Sequence, residues 1–226
     1  MRDLIYGLRW IKSFIGKLDH DRFETYPQRR AVGGKGVCEV GPFELLMSQG
    51  VLECLEWKGR PLFKTVYEFA CVPMLLHEMR PGTIFEIGSG TGASALWMAD
   101  VCMTGGLSTR IHSVDIQQVP DALTASVTFH KGDTNSPETL FPADVLQTAK
   151  HPWLVIEDAH VNVPGVLRYF DSRLRPGDYL IVEDSRDKQE HLAAVINDRY
   201  RVDTRYTDFF GRNATSAEDS IFKVVC

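Results

Sequence analysis

Cysteine is scarce and unpatterned in this chain. Its five cysteines, Cys38, Cys54, Cys71, Cys102 and Cys226, are odd in number, scattered and nowhere spaced as C-x-x-C. That argues against a disulfide framework and a zinc knuckle, and points to a reducing, cytoplasmic compartment. No run approaches the roughly 18 to 20 apolar residues of a membrane span. An excess of basic charge is missing too: 25 Lys and Arg stand against 30 Asp and Glu, a formal net charge of -5. Without a basic field, nucleic acid and anionic membrane are disfavoured as main partners, and a small molecule is expected.

What is present is ordinary globular material. The 226 residues, 44% hydrophobic and 24% charged, suffice for one sizeable α/β core. Near the N-terminus Leu4, Ile5, Leu8, Ile11, Phe14, Ile15 and Leu18 recur at helical spacing, with Arg2, Arg9, Lys12 and Lys17 among them. Charges within the apolar segment make a poor signal peptide, so the stripe is expected to pack on its own domain or on a second copy, as in a homo-oligomer. Residues 19–59 are weakly periodic and glycine-rich, and read as a lid-like segment. The run Gly33-Gly34-Lys35-Gly36 lacks both the glycine spacing and the Ser or Thr after Lys that a phosphate loop needs.

A regular grammar follows the breaker Arg80-Pro81-Gly82. A helix over 66–78 precedes it, and strands at 83–87, 110–115, 126–130, 153–156, 179–182, 200–202 and 220–225 follow. Helices are expected between them at 93–103, 138–150, 163–174 and 188–198. Strands alternating with helices of this length mean βαβ units. The expected fold is α/β, a doubly wound, mostly parallel, seven-stranded Rossmann-like sheet, with its ligand crevice at the carboxyl ends of the strands. Residues 1–65 form an N-terminal helical and irregular extension, and 66–226 the cofactor-binding domain.

A glycine turn, Gly88-Ser89-Gly90-Thr91-Gly92, lies between a strand and a helix, where backbone must approach a ligand closely. Alone it does not choose the cofactor, because Gly88-x-Gly90-x-x-Ala93 also fits the relaxed dinucleotide pattern. Two acids tip the balance. Asp115 ends the next strand, placed to accept from two ribose hydroxyls, and Glu86, inside the first strand, suits a positively charged amino group. An amino acid joined to a ribose describes S-adenosylmethionine.

Two further strands end alike, Ile156-Glu157-Asp158 and Val182-Glu183-Asp184. Side by side, such ends are about 5 Å apart, and converging carboxylates repel unless a cation neutralises them. An all-oxygen set suits Mg2+. Strand alternation sends Glu157 and Asp158 to different sides, so one of the two is the ligand.

The chain resembles class I S-adenosylmethionine methyltransferases, and within them the metal-dependent group with the cephalosporin hydroxylase family, macrolide-sugar O-methyltransferases and, more distantly, catechol O-methyltransferase. The stretches that carry the resemblance are Trp57-x-Gly59-x-Pro61-Leu62-x-Lys64, residues 85–96, His112-Ser-Val-Asp115-Ile116, Gly132-Asp133-Thr134, Val155-Ile-Glu-Asp-Ala-His160 and residues 176–184. It implies that Glu86, Gly88, Ser89, Gly90, Gly92 and Ser94 meet the methionine part, Asp115 and Ile116 the ribose, and Gly132 and Asp133 the adenine side, with Asp158 in the cofactor set. It implies Glu157, Glu183 and Asp184 as metal ligands, with Asp158 as the substitute for Glu157, and His160, three residues after Glu157, as general base. Glu157 stands where the group usually has Asp, and Ala159 where a second Asp is common.

The implied activity is Mg-dependent O-methylation of a small-molecule hydroxyl on a sugar, polyketide or catechol-like metabolite. Acceptor choice falls to residues 19–59 and to the loop 204–219, with Tyr206, Phe209, Phe210 and Gly211. The competing readings are a nicotinamide-dependent oxidoreductase and a catalytically inactive cofactor-binding subunit. Against the first, no Tyr-x-x-x-Lys pair is evident and the acidic strand ends go unexplained; the second draws on Glu157 and Ala159.

Overall fold

The computed structural model describes residues 21–33, 38–119 and 124–226. The N-terminal apolar stripe and most of the Gly33–Gly36 run lie outside them. The extension supplies Phe23–Glu24 (β1), Tyr26–Gly33 (α1), Pro42–Met47 (α2) and a hairpin of Glu56–Trp57 (β2) and Arg60–Pro61 (β3). Val66–Met79 (α3) opens on a capping box, Thr65 with Glu68, which satisfies helix N–H groups that otherwise have no partner.

The alternating part then unfolds in the expected order: Thr83–Ile87 (β4), Ala93–Thr104 (α4), Arg110–Asp115 (β5), Val127–Lys131 (β6), Ala143–Thr148 (α5) and Trp153–Glu157 (β7). Val163–Asp171 (α6), Tyr179–Val182 (β8), Gln189–Ala193 (α7), Tyr200–Asp203 (β9), Thr204–Thr207 (α8) and Ile221–Val224 (β10) complete it.

One sheet runs in the order β1-β9-β10-β8-β7-β4-β5-β6. Strands β6, β5, β4, β7 and β8 are mutually parallel, while β10 is antiparallel to β8 and β9. The mostly parallel sheet is as expected, but it has eight strands rather than seven. The added one is β1, antiparallel to β9 through Phe23↔Asp203 and Glu24↔Val202. A two-residue strand has no hydrophobic period to betray it, and it ties residues 21–33 of the extension to the main sheet.

Every residue of β4 and β7 is buried, as central parallel strands covered on both faces must be. Their side chains alternate between two cores. Ile84, Ile111, Leu154 and Ile181 join Leu76 and Leu96 on one face, while Phe85, Val114, Val155 and Val182 join Phe170 and Phe222 on the other.

Three further expectations change. The helix over 138–150 is a 3-10 turn at Pro137–Thr139 followed by α5, because Pro142 cannot continue a helix and instead stands at the start of the second piece. The helix over 188–198 is likewise a 3-10 turn at Ser185–Lys188 and the short α7. The loop 204–219 is largely packed: Arg29 is buried with Asp208 (2.7 Å) and Asp219 (2.7 Å), which pins the loop to α1. Within it Arg205, Phe209 and Phe210 are exposed.

Candidate active site

The carboxyl ends of β4, β5, β7 and β8 open into a cleft of 560 Å³. The turn after β4 forms its floor. Gly88 has φ 103°, and a Cβ there would lie 2.6 Å from the Asp158 carbonyl oxygen, so the β4 and β7 ends approach as closely as only glycine permits. Gly90, at φ 50°, faces open space. Its N–H donates to Asp115 Oδ2 at 2.9 Å, and Gln117 N–H donates to Oδ1 at 2.9 Å. Gly88, Ser89, Gly90, Ser94, Asp115, Ile116, Gly132, Asp133, Asp158, His160, Glu183 and Asp184 all line this one cleft.

Glu86, Gly92 and Glu157 are not among the lining residues. Glu86 is buried just beneath, accepting hydrogen bonds from Ser94 Oγ and Ser113 Oγ. Burial pushes its carboxyl up to about 7, although the two serines and Lys64 favour the charged form. Ser94 thus connects Glu86 to the cleft. Gly92 caps α4 at φ 79°, and a Cβ there would meet the Phe129 ring at 2.6 Å; its role is to start the helix.

Glu157 departs most from expectation. Its side chain is wholly buried. Oε2 accepts from Lys188 Nζ at 2.9 Å, and Oε1 accepts from the backbone N–H groups of Ala159 and His160, each at 3.1 Å. Both its oxygens are engaged by these buried donors and it does not line the cleft, so it is turned away from the cation position implied by the resemblance. Asp158, the next residue, faces the cleft instead.

Asp158, His160 and Asp184 converge there. One ligand atom from each lies within 4.8 Å of the others, with His160 Nε2 3.5 Å from Asp158 Oδ1 and 3.6 Å from Asp184 Oδ2. Both His160 (φ 60°) and Asp184 (φ 45°) adopt left-handed backbone, an unusual conformation for residues with a Cβ and one that clusters at functional sites. The hydrogen bond that His160 donates to Asp158 raises its pKa above the ordinary value. Burial alone would raise Asp158, but the Lys64 ammonium brings its carboxyl down to about 2.

Glu183 lines the cleft but does not join that trio. It is hydrogen-bonded to Lys64, whose Nζ also lies 3.2 Å from Asp158 Oδ2. Burial disfavours a charged lysine, yet Asp158, Glu183 and Glu68 together hold this one in the ammonium form. Lys64 and Lys188 are the site groups that sequence reasoning did not assign. For Lys64 a signal existed: it directly precedes Thr65-x-x-Glu68, a capping pattern that fixes a helix start. For Lys188, 31 residues from Glu157 and beyond another strand, there was none.

A family model described as Rhamnosyl O-methyltransferase/CmcI matches residues 49–203. The rhamnosyl O-methyltransferase of Mycobacterium leprae (strain TN) is 30% identical over 139 residues, 57% of this chain and 59% of that protein. The chain therefore spans less than two thirds of that relative's length. Among solved structures, apo CmcI aligns with a TM-score of 0.66 at 26% identity over 77% of each chain. A CmcI structure with Mg-SAM aligns at 0.63 and 23% identity, over 92% of this chain and 93% of that one, a likeness of fold.

Proposed function

The chain belongs to the rhamnosyl O-methyltransferase/CmcI family, and on that footing we propose that it is an S-adenosylmethionine-dependent O-methyltransferase, aided by a divalent ion such as Mg2+ and acting on a small-molecule hydroxyl. The observation that carries this reading is the joining, in one cleft, of the glycine turn and Asp115 with the Asp158–His160–Asp184 trio.

The residues suit both groups. Gly90 leaves open space where a side chain would stand, so a ligand can lie against the backbone. Asp115 is placed for ribose hydroxyls, and Glu86 with Ser94 for an amino group. The Asp158 and Asp184 carboxylates, within 4.8 Å of each other and of the His160 imidazole, are oxygen donors that suit a hard divalent cation. When bound, S-adenosylmethionine supplies an activated methyl group, and the ion supplies positive charge for acceptor oxygens.

The protein's own task is alignment and proton transfer. Asp158 and Asp184 would hold the ion beside the acceptor, and His160, through neutral Nε2, would accept the hydroxyl proton. Phe63 and Gln49, from the extension, line the same cleft and would orient the acceptor and exclude water. A vicinal diol or catechol offers the two oxygens such an ion favours, and a sugar is the acceptor class that the Mycobacterium leprae relative's name suggests. Among the described residues no helix is long and apolar enough to cross a membrane.

Transfer of tritium from methyl-labelled S-adenosylmethionine to a panel of vicinal diols, glycosides and catechols, with and without chelator, tests the reading. Label in an acceptor, lost on chelation, is expected. Label transfer indifferent to chelation would remove the ion from the account, and none to any hydroxyl would remove the activity.

A further inference from the structure

Exposed apolar side chains are unevenly spread over the molecule. Of the fifteen large ones among the described residues, eight lie within residues 43–66, and Leu52 is 97% exposed. Scattered singly, such side chains need no explanation, but gathered on one face they mark a surface that something covers. In α2, Phe43, Leu46 and Met47 recur at helical spacing and are exposed, while Leu45 alone is buried. The segments behind the face are tied together: Leu62 N–H donates to the Leu55 carbonyl at 2.6 Å. Gln49 and Phe63 form its edge on the cleft.

The face is also acidic. Residues 38–57 hold Glu39, Glu44, Glu53 and Glu56 and no Lys or Arg. Glu44, Glu53 and Glu56 are exposed, and none is paired with a Lys or Arg among the described residues. Two occupants therefore fit poorly. A symmetric contact with a second copy would set these acids against one another, and an anionic lipid surface repels them.

A complement stands in the chain's own first residues, outside the described ones. Residues 1–18 carry Arg2, Arg9, Lys12 and Lys17 against one acid, Asp3, and Leu4, Leu8, Ile11, Ile15 and Leu18 fall on one side at helical spacing. The reach suffices as well. Arg22 is held 2.6 Å from Glu78 near the end of α3, and Val66, at the start of α3, is part of the apolar face. From Glu78 back to Val66 is about 18 Å, and a helix over 4–18 is about 22 Å long.

We infer that residues 4–18 dock in cis, as an amphipathic helix, on the apolar face of residues 43–66, with their basic residues against Glu44, Glu53 and Glu56. Tethered at Arg22, the segment meets this face at a high effective concentration. It then backs the wall of the cleft that Gln49 and Phe63 line. The inference stands apart from the cofactor reading.

The experiment is zero-length carbodiimide cross-linking of lysine to glutamate in the full chain, read by mass spectrometry on an equal mixture of 14N- and 15N-labelled protein. Wild type is compared with Leu8→Asp/Ile11→Asp on the segment and Leu52→Asp on the face. Links from Lys12 or Lys17 to Glu44, Glu53 or Glu56, within single chains of one isotope, are expected. A charge placed in either apolar surface should reduce them about tenfold or more.

Absence of these links overturns the inference. So do links found chiefly between chains of different isotope, which would make a second copy the occupant, and links undiminished in both variants. Flotation of wild type with phosphatidylcholine–phosphatidylserine vesicles, abolished by Leu52→Asp, would make a lipid surface the occupant and overturn it too. Should Leu8→Asp/Ile11→Asp fail to fold by circular dichroism, Leu52→Asp, at an exposed side chain, decides alone.

Discussion

Lys188 Nζ lies 2.9 Å from Glu157 Oε2, and both side chains are buried. The same ammonium donates to the Glu183 carbonyl at 2.7 Å, and Glu183 N–H donates to the Glu157 carbonyl at 2.9 Å. The pair therefore clamps the ends of β7 and β8 from below, and the cleft-facing Asp158 and Asp184 stand on that clamp. Removing one partner leaves a buried charge unpaired, which costs about 3–5 kcal/mol. Lys188→Met is expected to lose stability of that order in chemical denaturation, and Glu157→Gln, which keeps the shape and part of the hydrogen bonding, less.

His160 separates binding from chemistry. His160→Ala is expected to lower methyl transfer by about 10²–10⁴-fold, the range for loss of a general base. S-adenosylhomocysteine affinity by calorimetry should be unchanged, because the glycine turn and Asp115 are untouched. A variant that transfers methyl groups at the wild-type rate would return His160 to a structural role.

Glu86 gives a pH dependence of stability. Its folded pKa of about 7 stands above the unfolded value of about 4.3, so the folded chain binds this proton more tightly. The group's contribution to stability is complete below the unfolded value and is lost as pH rises through the folded one. Glu86→Gln mimics the protonated form. Without cofactor it is expected to be more stable than wild type at pH 8, with the difference shrinking as pH falls from 7 to 4.5, as read from denaturation midpoints across pH. Its affinity for S-adenosylhomocysteine at pH 8 should fall, because the carboxylate suited to the amino group is gone.

Asp115 anchors both the turn and the proposed ribose site. Asp115→Ala removes hydrogen bonds to charged oxygen, worth about 1.5–3 kcal/mol each, and a drop in S-adenosylhomocysteine affinity of about 10- to 100-fold is expected. Because Asp115 also accepts from Gly90 and Gln117 N–H, a small fall in melting temperature should accompany it. Asp115→Asn should keep most of the stability while losing most of the affinity.

How much of this was legible follows from where the information lies. The strand at 83–87 and the acidic ends at 157–158 and 183–184 are local patterns, and they fall where expected. The choice between Glu157 and Asp158 is not local, since a single step in strand phase sends a side chain to the opposite face. Glu157 keeps the phase of Trp153 and Val155, both in the core on one face, and Lys188 waits on that side. Nothing in Ile156-Glu157-Asp158 states the phase. The added strand Phe23–Glu24 and the packed 204–219 loop were hidden for a related reason: the partners that fix them, Val202 and Asp203 for one and Arg29 for the other, are remote in sequence.

The central claim is the cofactor class, because the glycine turn alone also fits a dinucleotide. Calorimetric titration of the purified chain with S-adenosylhomocysteine and, separately, with NADH tests it most directly. Saturable one-to-one binding of S-adenosylhomocysteine, weakened by Asp115→Ala, with no heat from NADH, is the result predicted. Saturable NADH binding with none of S-adenosylhomocysteine would contradict it.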